Sequence, residues 1–299
     1  MIRIQVPATS ANLGSGFDAL GVAMTMYNNV FMEEADEVSI VSRDGLNVPT
    51  DEHNLIYWSA RYLYELCGKT LPGLKIEQES PIPMARGLGS SSACIVAGLL
   101  GANRLLGTPL SKQDLINLAS KIEGHPDNIA PAFLGGLVAS AIEADRVYSV
   151  SVPVAPQIGF AVFIPPFELK TSLSRSALKE VYSREDVVYN LSRSALITAA
   201  LFSGSLENLR VGVQDKIHQP YRSQFIEGID TVFRLSYELG SYGTYISGAG
   251  PSLISIVDEK TARVFEQYAE NKLEENGILG WKLQILRTDS CGATIHIDS

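Results

Sequence analysis

Residues 83–93 read Pro83-Met84-Ala85-Arg86-Gly87-Leu88-Gly89-Ser90-Ser91-Ser92-Ala93. A strand-like alternation over residues 74–78 precedes this segment, and apolar residues at helical spacing follow it over residues 91–106. In such a loop, Gly87 and Gly89 let a ligand approach the backbone closely, while the helix that follows presents free N–H groups and a partial positive charge. The segment therefore predicts a cradle for an anion, and a triphosphate is the obvious ligand.

Two better-known phosphate loops do not fit this segment. A P-loop has a lysine directly after its last glycine, whereas Ser90 follows Gly89 here. A dinucleotide-binding loop has a third glycine at the position of Ser92. Taken alone, the segment also fits a simpler alternative, a serine-capped helix after a glycine turn.

Composition limits the class of protein. The chain has 299 residues, 45% hydrophobic and 19% charged, which is enough apolar material for a large core and excludes disorder. Its 24 Lys and Arg residues against 33 Asp and Glu residues give a net charge of −9 without a dense basic run. This balance argues against nucleic acid or an anionic membrane as a partner, and no apolar stretch approaches the roughly 20 residues that span a bilayer.

The first residues of the chain and its cysteines predict a cytoplasmic location. The first seven residues alternate like a strand and lack the pattern of a secretion signal. The three cysteines, Cys67, Cys94 and Cys291, have no metal-ligand spacing and are expected to be reduced thiols without a chemical role. We therefore expect a cytoplasmic protein that acts on a small molecule.

Alternating strand-like and helix-like segments predict an α+β fold. Length suggests two domains, and the proline-bracketed stretch at 152–156 places the boundary between domains 1–155 and 156–299. Ser111 and Asp114 form a capping-box pattern at the start of one predicted helix. The predicted helices are 54–67, 91–106, 112–122, 176–181, 185–203, 224–239 and 261–276. The predicted strands are 2–6, 30–34, 38–42, 74–78, 158–164, 243–247, 253–257, 281–287 and 293–297, with a glycine-punctuated loop at 10–21.

The segment 83–93 resembles the signature loop Pro-x-x-x-Gly-Leu-Gly-Ser-Ser-Ala of the GHMP kinases, with one additional serine. Three further segments resemble the same family, at 7–18, 123–132 and 247–252, and all four occur in the family's order. The resemblance thus covers nearly the whole chain. It implies an N-terminal ATP-binding domain and a ferredoxin-like C-terminal domain, with the active site in the cleft between them.

The resemblance is strongest to the members that phosphorylate homoserine. It implies transfer of the ATP γ-phosphate to the side-chain hydroxyl of L-homoserine, in threonine biosynthesis. Asn54 is implied to reach adenine, although it could equally cap a helix. The residues implied to bind the nucleotide are Pro83, Arg86, Gly87, Leu88, Gly89, Ser90, Ser91, Ser92, Ala93 and Asn54.

Glu123 is the candidate ligand for Mg²⁺. It ends a predicted helix, where a carboxylate meets the negative end of the helix dipole and calls for a cation. One carboxylate and one hydroxyl suffice for Mg²⁺, because phosphates and water supply its other ligands. By resemblance that hydroxyl belongs to Ser91, with Ser90 and Ser92 left open. The alternative for Glu123 is a solvated residue at a helix end.

The acceptor carries an α-carboxylate and an α-ammonium, so its site needs arginine for one and acidic or amide oxygens for the other. By resemblance, the residues at the ammonium end are Asn12, Asp18, His125 and Asp127. Those at the carboxylate end are Thr171, Arg175 and Arg222. Arg193 competes for the role of Arg175, and each arginine could also be an ordinary surface residue.

The catalytic residues are expected to be Glu123, Ser91 and Asp127. His125 is interpreted as a binding residue rather than a general base. Mevalonate-type relatives have a basic aspartate where this chain has Asn128, which cannot accept the proton in that way. We therefore expect the rate to come from positioning and charge neutralisation, with the hydroxyl proton passing to the phosphate itself.

Two other functions are compatible with the sequence. A kinase of the same family could act on another alcohol, such as a mevalonate-like acid or shikimate, but neither substrate has an ammonium group for Asp18 and Asp127. A catalytically silent sensor is the second alternative, and Glu123, Ser91 and the complete glycine loop argue against it. The apolar content is compatible with a homodimer.

Overall fold

The computed structural model describes residues 1–297. Its strands are β1 (Ile2–Ala11), β2 (Leu20–Glu34), β3 (Ser39–Ser42), β4 (Leu74–Glu79), β5 (Leu137–Glu143), β6 (Arg146–Val152), β7 (Gly159–Ile164), β8 (Gly243–Ile246), β9 (Leu253–Val257), β10 (Lys282–Leu286) and β11 (Thr294–Ile297). Its helices are α1 (Leu55–Leu66), α2 (Ser90–Leu105), α3 (Lys112–Glu123), α4 (Ile129–Leu134), α5 (Thr171–Ser176), α6 (Arg184–Ser203), α7 (Leu206–Gly212), α8 (Gln219–Arg222), α9 (Ile229–Glu238) and α10 (Glu259–Glu275).

The first sheet has the strand order β11-β1-β2-β4-β3. The hairpin β5–β6 belongs to the same sheet, because β5 pairs antiparallel with the first residues of β2. Helix α2 packs against β1, β2 and α1. Small residues permit this close approach: a Cβ on Gly98 would overlap the carbonyl oxygen of Ile56, and one on Gly101 would overlap the sulfur of Met32. This packing fixes the position at which α2 begins, which is the end of the phosphate-loop segment.

The second sheet has the order β10-β7-β9-β8 and packs against α9 and α10. Phe163, Val232 and Phe265 belong to its core. The main core is continuous between the two halves, since it contains Ile4 and Val96 as well as Tyr245 and Ile254. The two halves are therefore joined by apolar contacts over a wide area.

The mixture of sheets and helices confirms the predicted α+β fold. The domain boundary at residue 155 remains a prediction. After β10, which lies in the second sheet, the chain returns to the first half. Strand β11 pairs antiparallel with β1, so the last described strand lies in the first sheet. None of the helices within residues 1–297 combines the length and apolar character needed to cross a bilayer.

Most predicted elements are present, but two helices in the second half were predicted wrongly. The helix expected at 176–181 lies earlier, as α5, because Ser174 and Arg175 anchor that turn through bonds to Ala249 and Asp18. The helix expected at 224–239 starts at α9, after a 3₁₀ turn and a break at Gly228, whose φ is +79°. The hairpin β5–β6 and the short helices α4, α7 and α8 were not predicted.

Candidate active site

One cleft brings together most of the predicted site residues. It is lined by the turn between β1 and β2, the start of α2, the segment after α3, helix α5, the end of α8 and the loop between β8 and β9. The predicted residues that line it are Asn12, Asp18, Arg86, Gly87, Gly89, Ser90, Ser91, Glu123, His125, Asp127, Thr171, Arg175 and Arg222. Residues from both halves of the chain thus form a single site.

The phosphate-loop segment opens α2 towards this cleft. Gly87 and Gly89 have φ of +73° and +71°, where L-residues are strained. A Cβ on Gly87 would also overlap the carbonyl oxygen of Ser247. No side chain caps the start of α2 at Ser90, so its first N–H groups are available to an anion in the cleft.

Not every residue of the segment presents its side chain to the cleft. Leu88 and Ala93 are buried in the core, so their side chains do not contact a nucleotide there. Arg86 lines the cleft but donates to the carbonyl oxygens of Pro165 and Pro166, each at 3.0 Å. Its guanidinium therefore ties the loop to the second half instead of being free for a phosphate.

The carboxylate of Glu123 lies across from two hydroxyls of α2. Ser91 donates to Oε2 at 3.1 Å, and Ser92 donates to Oε1 at 3.0 Å. Ser91 is exposed and lines the cleft, whereas Ser92 is fully buried. No basic side chain within residues 1–297 lies within 4.0 Å of Glu123, which leaves its charge without a cationic partner there.

These oxygen donors fit a hard divalent cation. One carboxylate and an adjacent hydroxyl are the small donor set that Mg²⁺ uses when phosphates complete its coordination. A dedicated protein cage is not found, since no group of three or more His, Cys, Asp or Glu side chains in the described part of the chain could hold a metal.

Asp18 and Arg175 face each other across the cleft. Arg175 donates to both carboxylate oxygens of Asp18, at 2.8 and 2.9 Å. Asn12 supports Asp18 by accepting from its backbone N–H at 3.0 Å, and its own Nδ2 donates to the carbonyl oxygen of Gly248 at 2.9 Å. The sequence assigned Asp18 and Arg175 to opposite ends of the acceptor, whereas in the structure their side chains bind each other.

Arg222 is a buried cation without an acidic partner. Only 1% of its surface is exposed, and no carboxylate within residues 1–297 lies within 4.0 Å of it. Its Nη1 donates to the carbonyl oxygen of Gly248 at 2.7 Å, while its buried Nε has no hydrogen-bond partner. Burial, together with the charge of Arg175, lowers the pKa of Arg222 to about 10. A guanidinium in this state favours an incoming anion.

His125, Asp127 and Asn128 lie at the floor of the cleft. The Nδ1 of His125 is 2.6 Å from Oδ1 of the buried Asp127. Burial opposes charging of His125, but the hydrogen bond and charge of Asp127 prevail and raise the pKa of the imidazole. Asn128 accepts from the hydroxyl of Thr9 at 2.8 Å. Asp127 is thus engaged by its neighbours, which fits a binding and orienting role.

A second cavity, of about 250 Å³, adjoins the cleft and shares Ser90 and Ser91 with it. Its remaining lining is largely apolar and includes Ile82 and Cys94. Asn54 also lines it, but its Oδ1 caps α1 by accepting from two backbone N–H groups, at 2.9 and 3.3 Å. The alternative that Asn54 is a helix cap is therefore confirmed.

Sequence reasoning missed two residues and one backbone group. Phe17 packs near both cleft arginines, and the buried His218 packs against Phe17 and Arg222. The carbonyl oxygen of Gly248 accepts from both Asn12 and Arg222. Phe17 stands next to Asp18 within one of the quoted motifs, and this proximity is the signal that could have identified it.

Comparison with known proteins agrees with this geometry. The profile described as GHMP kinases N terminal domain matches residues 54–136, and the one described as GHMP kinases C terminal matches residues 197–275. The homoserine kinase of Caldicellulosiruptor bescii is 42% identical over 99% of this chain and 97% of its own length. The homoserine kinase of Clostridium beijerinckii is 43% identical over 99% and 98%.

Solved structures extend the comparison. A homoserine kinase from Cytophaga hutchinsonii superposes with a TM-score of 0.87 at 28% identity, covering 99% of this chain and 97% of that one. A mevalonate kinase shares the fold alone, with a TM-score of 0.69 at 14% identity and coverage of 96% and 99%. The fold and the cleft are those of a phosphotransferase that carries a glycine-rich loop at the start of a helix. The chain belongs to the GHMP kinases and, within them, to the homoserine kinases.

Proposed function

We propose that the cleft transfers the γ-phosphoryl group of ATP to the side-chain hydroxyl of L-homoserine, giving ADP and O-phospho-L-homoserine for threonine synthesis. The observation that carries this proposal is the buried Arg222, which lacks an acidic partner and lies in the same cleft as Asp18 and the uncapped start of α2. The cleft thus has a cationic and an anionic side chain for a zwitterionic acceptor, next to the start of α2, where the triphosphate would bind.

The acceptor's two charged groups match the residues of the cleft. Its carboxylate would bind Arg175 and Arg222, since guanidinium groups form paired hydrogen bonds with carboxylates. Its ammonium would bind Asp18, with Asn12 and Asp127 close by. Thr171 lies one turn before Arg175 on α5, and both line the cleft. The acceptor would thus replace the Asp18–Arg175 contact with one partner for each charge.

The nucleotide would occupy the start of α2 and the second cavity. The N–H groups at Ser90, Ser91 and Ser92 would bind the triphosphate, and the apolar second cavity has the character expected for adenine. One N–H of the Asn54 side-chain amide donates to the carbonyl oxygen of Pro49, so Asn54 has at most its second N–H to offer to adenine. Leu88, Ala93 and Arg86 would act through the backbone or by holding the loop.

Glu123 and Ser91 would hold Mg²⁺, with Ser92 fixing the second oxygen of Glu123. When bound, the ion neutralises charge on the phosphates and helps to align them. The protein's part is to place the acceptor hydroxyl in line with the γ-phosphorus. The bond from this phosphorus to the ADP oxygen breaks as the new O–P bond forms, and the hydroxyl proton passes to the transferred phosphate, because Asn128 cannot accept it.

Two alternatives make different use of these residues. A kinase for mevalonate or shikimate would offer no ammonium group to Asp18, so Asp18 would keep Arg175 as its partner and Arg175 would not be released for the substrate's anion. A sensor that binds without transfer would have no use for Glu123 beside the phosphate loop. The homoserine reaction uses Asp18, Arg222 and Glu123 together, and we therefore prefer it.

An ADP-release assay with MgATP and a panel of alcohols tests the proposal. We expect ADP release that depends on L-homoserine and not on mevalonate or shikimate. ³¹P NMR should detect one new phosphate monoester at the side-chain oxygen. ADP release with another member of the panel, or none with homoserine, would contradict the proposal.

Assembly and location stay predictions. Helix α6 exposes Val188 and Leu191, which give a homodimer an apolar surface. Size-exclusion chromatography with light scattering tests this, and a mass of one chain would contradict a stable dimer. The cytoplasm remains the predicted location because it supplies the ATP that the reaction consumes.

A further inference from the structure

The aromatic ring of Phe17 lies near both cleft arginines. It lies in the turn between β1 and β2, directly before Asp18. The guanidinium carbon of Arg222 is 5.2 Å from the centre of the Phe17 ring, and that of Arg175 is 5.4 Å from it. Both distances are within the range of cation–π attraction. One aromatic ring thus contacts both of the cations that we assign to the acceptor's carboxylate.

His218 supports the ring and one of the arginines. Its imidazole stacks on Phe17, with 5.3 Å between ring centres and 26° between planes. Its Nε2 is 2.6 Å from the carbonyl oxygen of Gly14, so Nε2 carries the proton and donates it. Nδ1 then faces Nη1 of Arg222 at 3.3 Å as an acceptor. This arrangement needs a neutral imidazole, which full burial favours by lowering the pKa of His218.

Electrostatic repulsion between Arg175 and Arg222 opposes their lying side by side in the cleft. They carry like charges and face one cleft, so they repel each other in the absence of an anion. Arg175 is held by Asp18, but under the proposed function the acceptor's ammonium takes Asp18 as its partner. Arg175 would then lose Asp18 but keep its contact with the ring of Phe17. Arg222 would keep its contact with the same ring before and after the acceptor binds.

We propose that Phe17 is a specificity-determining positioning residue, whose ring, backed by His218, holds Arg175 and Arg222 together as a receptor for the acceptor's carboxylate. This inference rests on the proposed function. It predicts that the ring contributes to the recognition of the carboxylate and contributes nothing to the recognition of ATP.

The test compares Phe17→Leu, Phe17→Tyr and a matched control. Leucine keeps an apolar side chain and removes the π face, whereas tyrosine restores it. Phe31→Leu is the control, because Phe31 also contacts two arginines, Arg3 at 5.9 Å and Arg43 at 3.7 Å, outside the cleft. Each variant is assayed with L-homoserine and with 3-aminopropan-1-ol, which lacks the carboxylate, and both ligands are also titrated by calorimetry.

For Phe17→Leu we expect the KM for homoserine to rise about fivefold to tenfold, while the KM for ATP stays within about twofold. Selectivity for homoserine over 3-aminopropan-1-ol should fall by a similar factor. Phe17→Tyr should restore the wild-type values, and Phe31→Leu should leave them unchanged. The calorimetric affinities should follow the same pattern.

Three results would overturn the inference: an unchanged affinity for homoserine in Phe17→Leu, equal losses for both acceptors, or no rescue by tyrosine. A purely structural role would weaken the binding of both acceptors and of ATP together. Failure of the proposed function gives a different result, in which the wild-type protein releases no ADP with homoserine. If wild-type protein still binds L-homoserine without releasing ADP, the calorimetric comparison of the variants decides the role of Phe17, and if it does not bind L-homoserine at all, the inference about Phe17 is overturned as well.

Discussion

Arg175 binds Asp18 through two hydrogen bonds of 2.8 and 2.9 Å that join the two halves of the chain across the cleft. The side chains remain 41% and 34% exposed. An ion pair so open to water contributes about 0–1 kcal/mol, so a ligand that offers both a carboxylate and an ammonium can displace it readily. The ion pair therefore positions Asp18 and Arg175 for the acceptor, and little free energy is needed to break it when the acceptor binds.

Replacing Arg175 by alanine should raise the KM for homoserine about 10- to 100-fold and leave the KM for ATP unchanged. The reason is the loss of one charged pair of hydrogen bonds to the carboxylate, worth roughly 1.5–3 kcal/mol. Steady-state kinetics with each substrate varied in turn measures the effect.

Arg193→Ala is the matched control. The guanidinium carbon of Arg193 lies 3.2 Å from the ring centre of Tyr189, and Arg193 does not line the cleft. This variant should behave as the wild type. A rise in the KM for ATP on loss of Arg175, or a larger loss of homoserine binding without Arg193, would refute the assignment of Arg175.

Glu123→Gln should reduce kcat about 10²- to 10³-fold with little effect on folding. The amide keeps the shape: its oxygen can accept from one of the two serine hydroxyls and its NH2 can donate to the other, but it lacks the charge that holds the metal. Turnover is measured across a magnesium titration, with the midpoint of thermal unfolding as the folding control. Near-normal turnover at saturating magnesium would show that Glu123 is not the metal ligand.

The thiol of Cys94 should resist alkylation. Burial raises its pKa to about 11 from 9.0, so the reactive thiolate is about 100-fold scarcer at pH 8 than for an ordinary thiol. Because the shift favours the neutral form, its stabilising effect is complete below pH 9 and is lost as the pH rises through 11.

Mass spectrometry after iodoacetamide treatment at pH 8 checks this prediction, with the exposed Cys291 as an internal control. Cys291 should react and Cys94 should not. Equal rates would mean that the thiol of Cys94 ionises as readily as an exposed thiol, and the raised pKa of Cys94 would be refuted.

Gly87→Ala should lower the free energy of unfolding by about 3 kcal/mol and raise the KM for ATP. Positive φ accounts for roughly 1–2 kcal/mol of this loss, and overlap of the new Cβ with Ser247 accounts for the rest. Gly107→Ala separates the two effects, because Gly107 has a φ of +82° and no heavy atom within 4 Å of the added Cβ. The free energy of unfolding of both variants is measured in urea. Equal losses of stability would show that overlap with Ser247 does not contribute.

Features set by neighbouring residues in the chain were predictable from the sequence. The capping box of α3 is present, with Ser111 and Asp114 bonded in both directions. The strand, loop and helix around residues 83–93 have the predicted order. Each depends on local backbone preferences and on the spacing of apolar residues, which a single sequence displays.

Features set by distant contacts were not predictable in this way. The position of α5 depends on the bond from Ser174 to Ala249, 75 residues away. The orientation of Arg86 depends on carbonyl oxygens at 165 and 166, and the environment of Arg222 on Phe17 and His218. The family motifs identified which residues gather at the cleft, but their bonds to one another required the fold.

The location of the acceptor's carboxylate tests the central claim most directly. A crystal structure with L-homoserine, Mg²⁺ and a non-hydrolysable ATP analogue would reveal it. We expect the carboxylate within hydrogen-bond distance of Arg175 and Arg222, the ammonium against Asp18, and the hydroxyl towards the γ-phosphate at the start of α2. An acceptor bound in the reverse orientation, or elsewhere with both arginines left without an anion, would contradict the account.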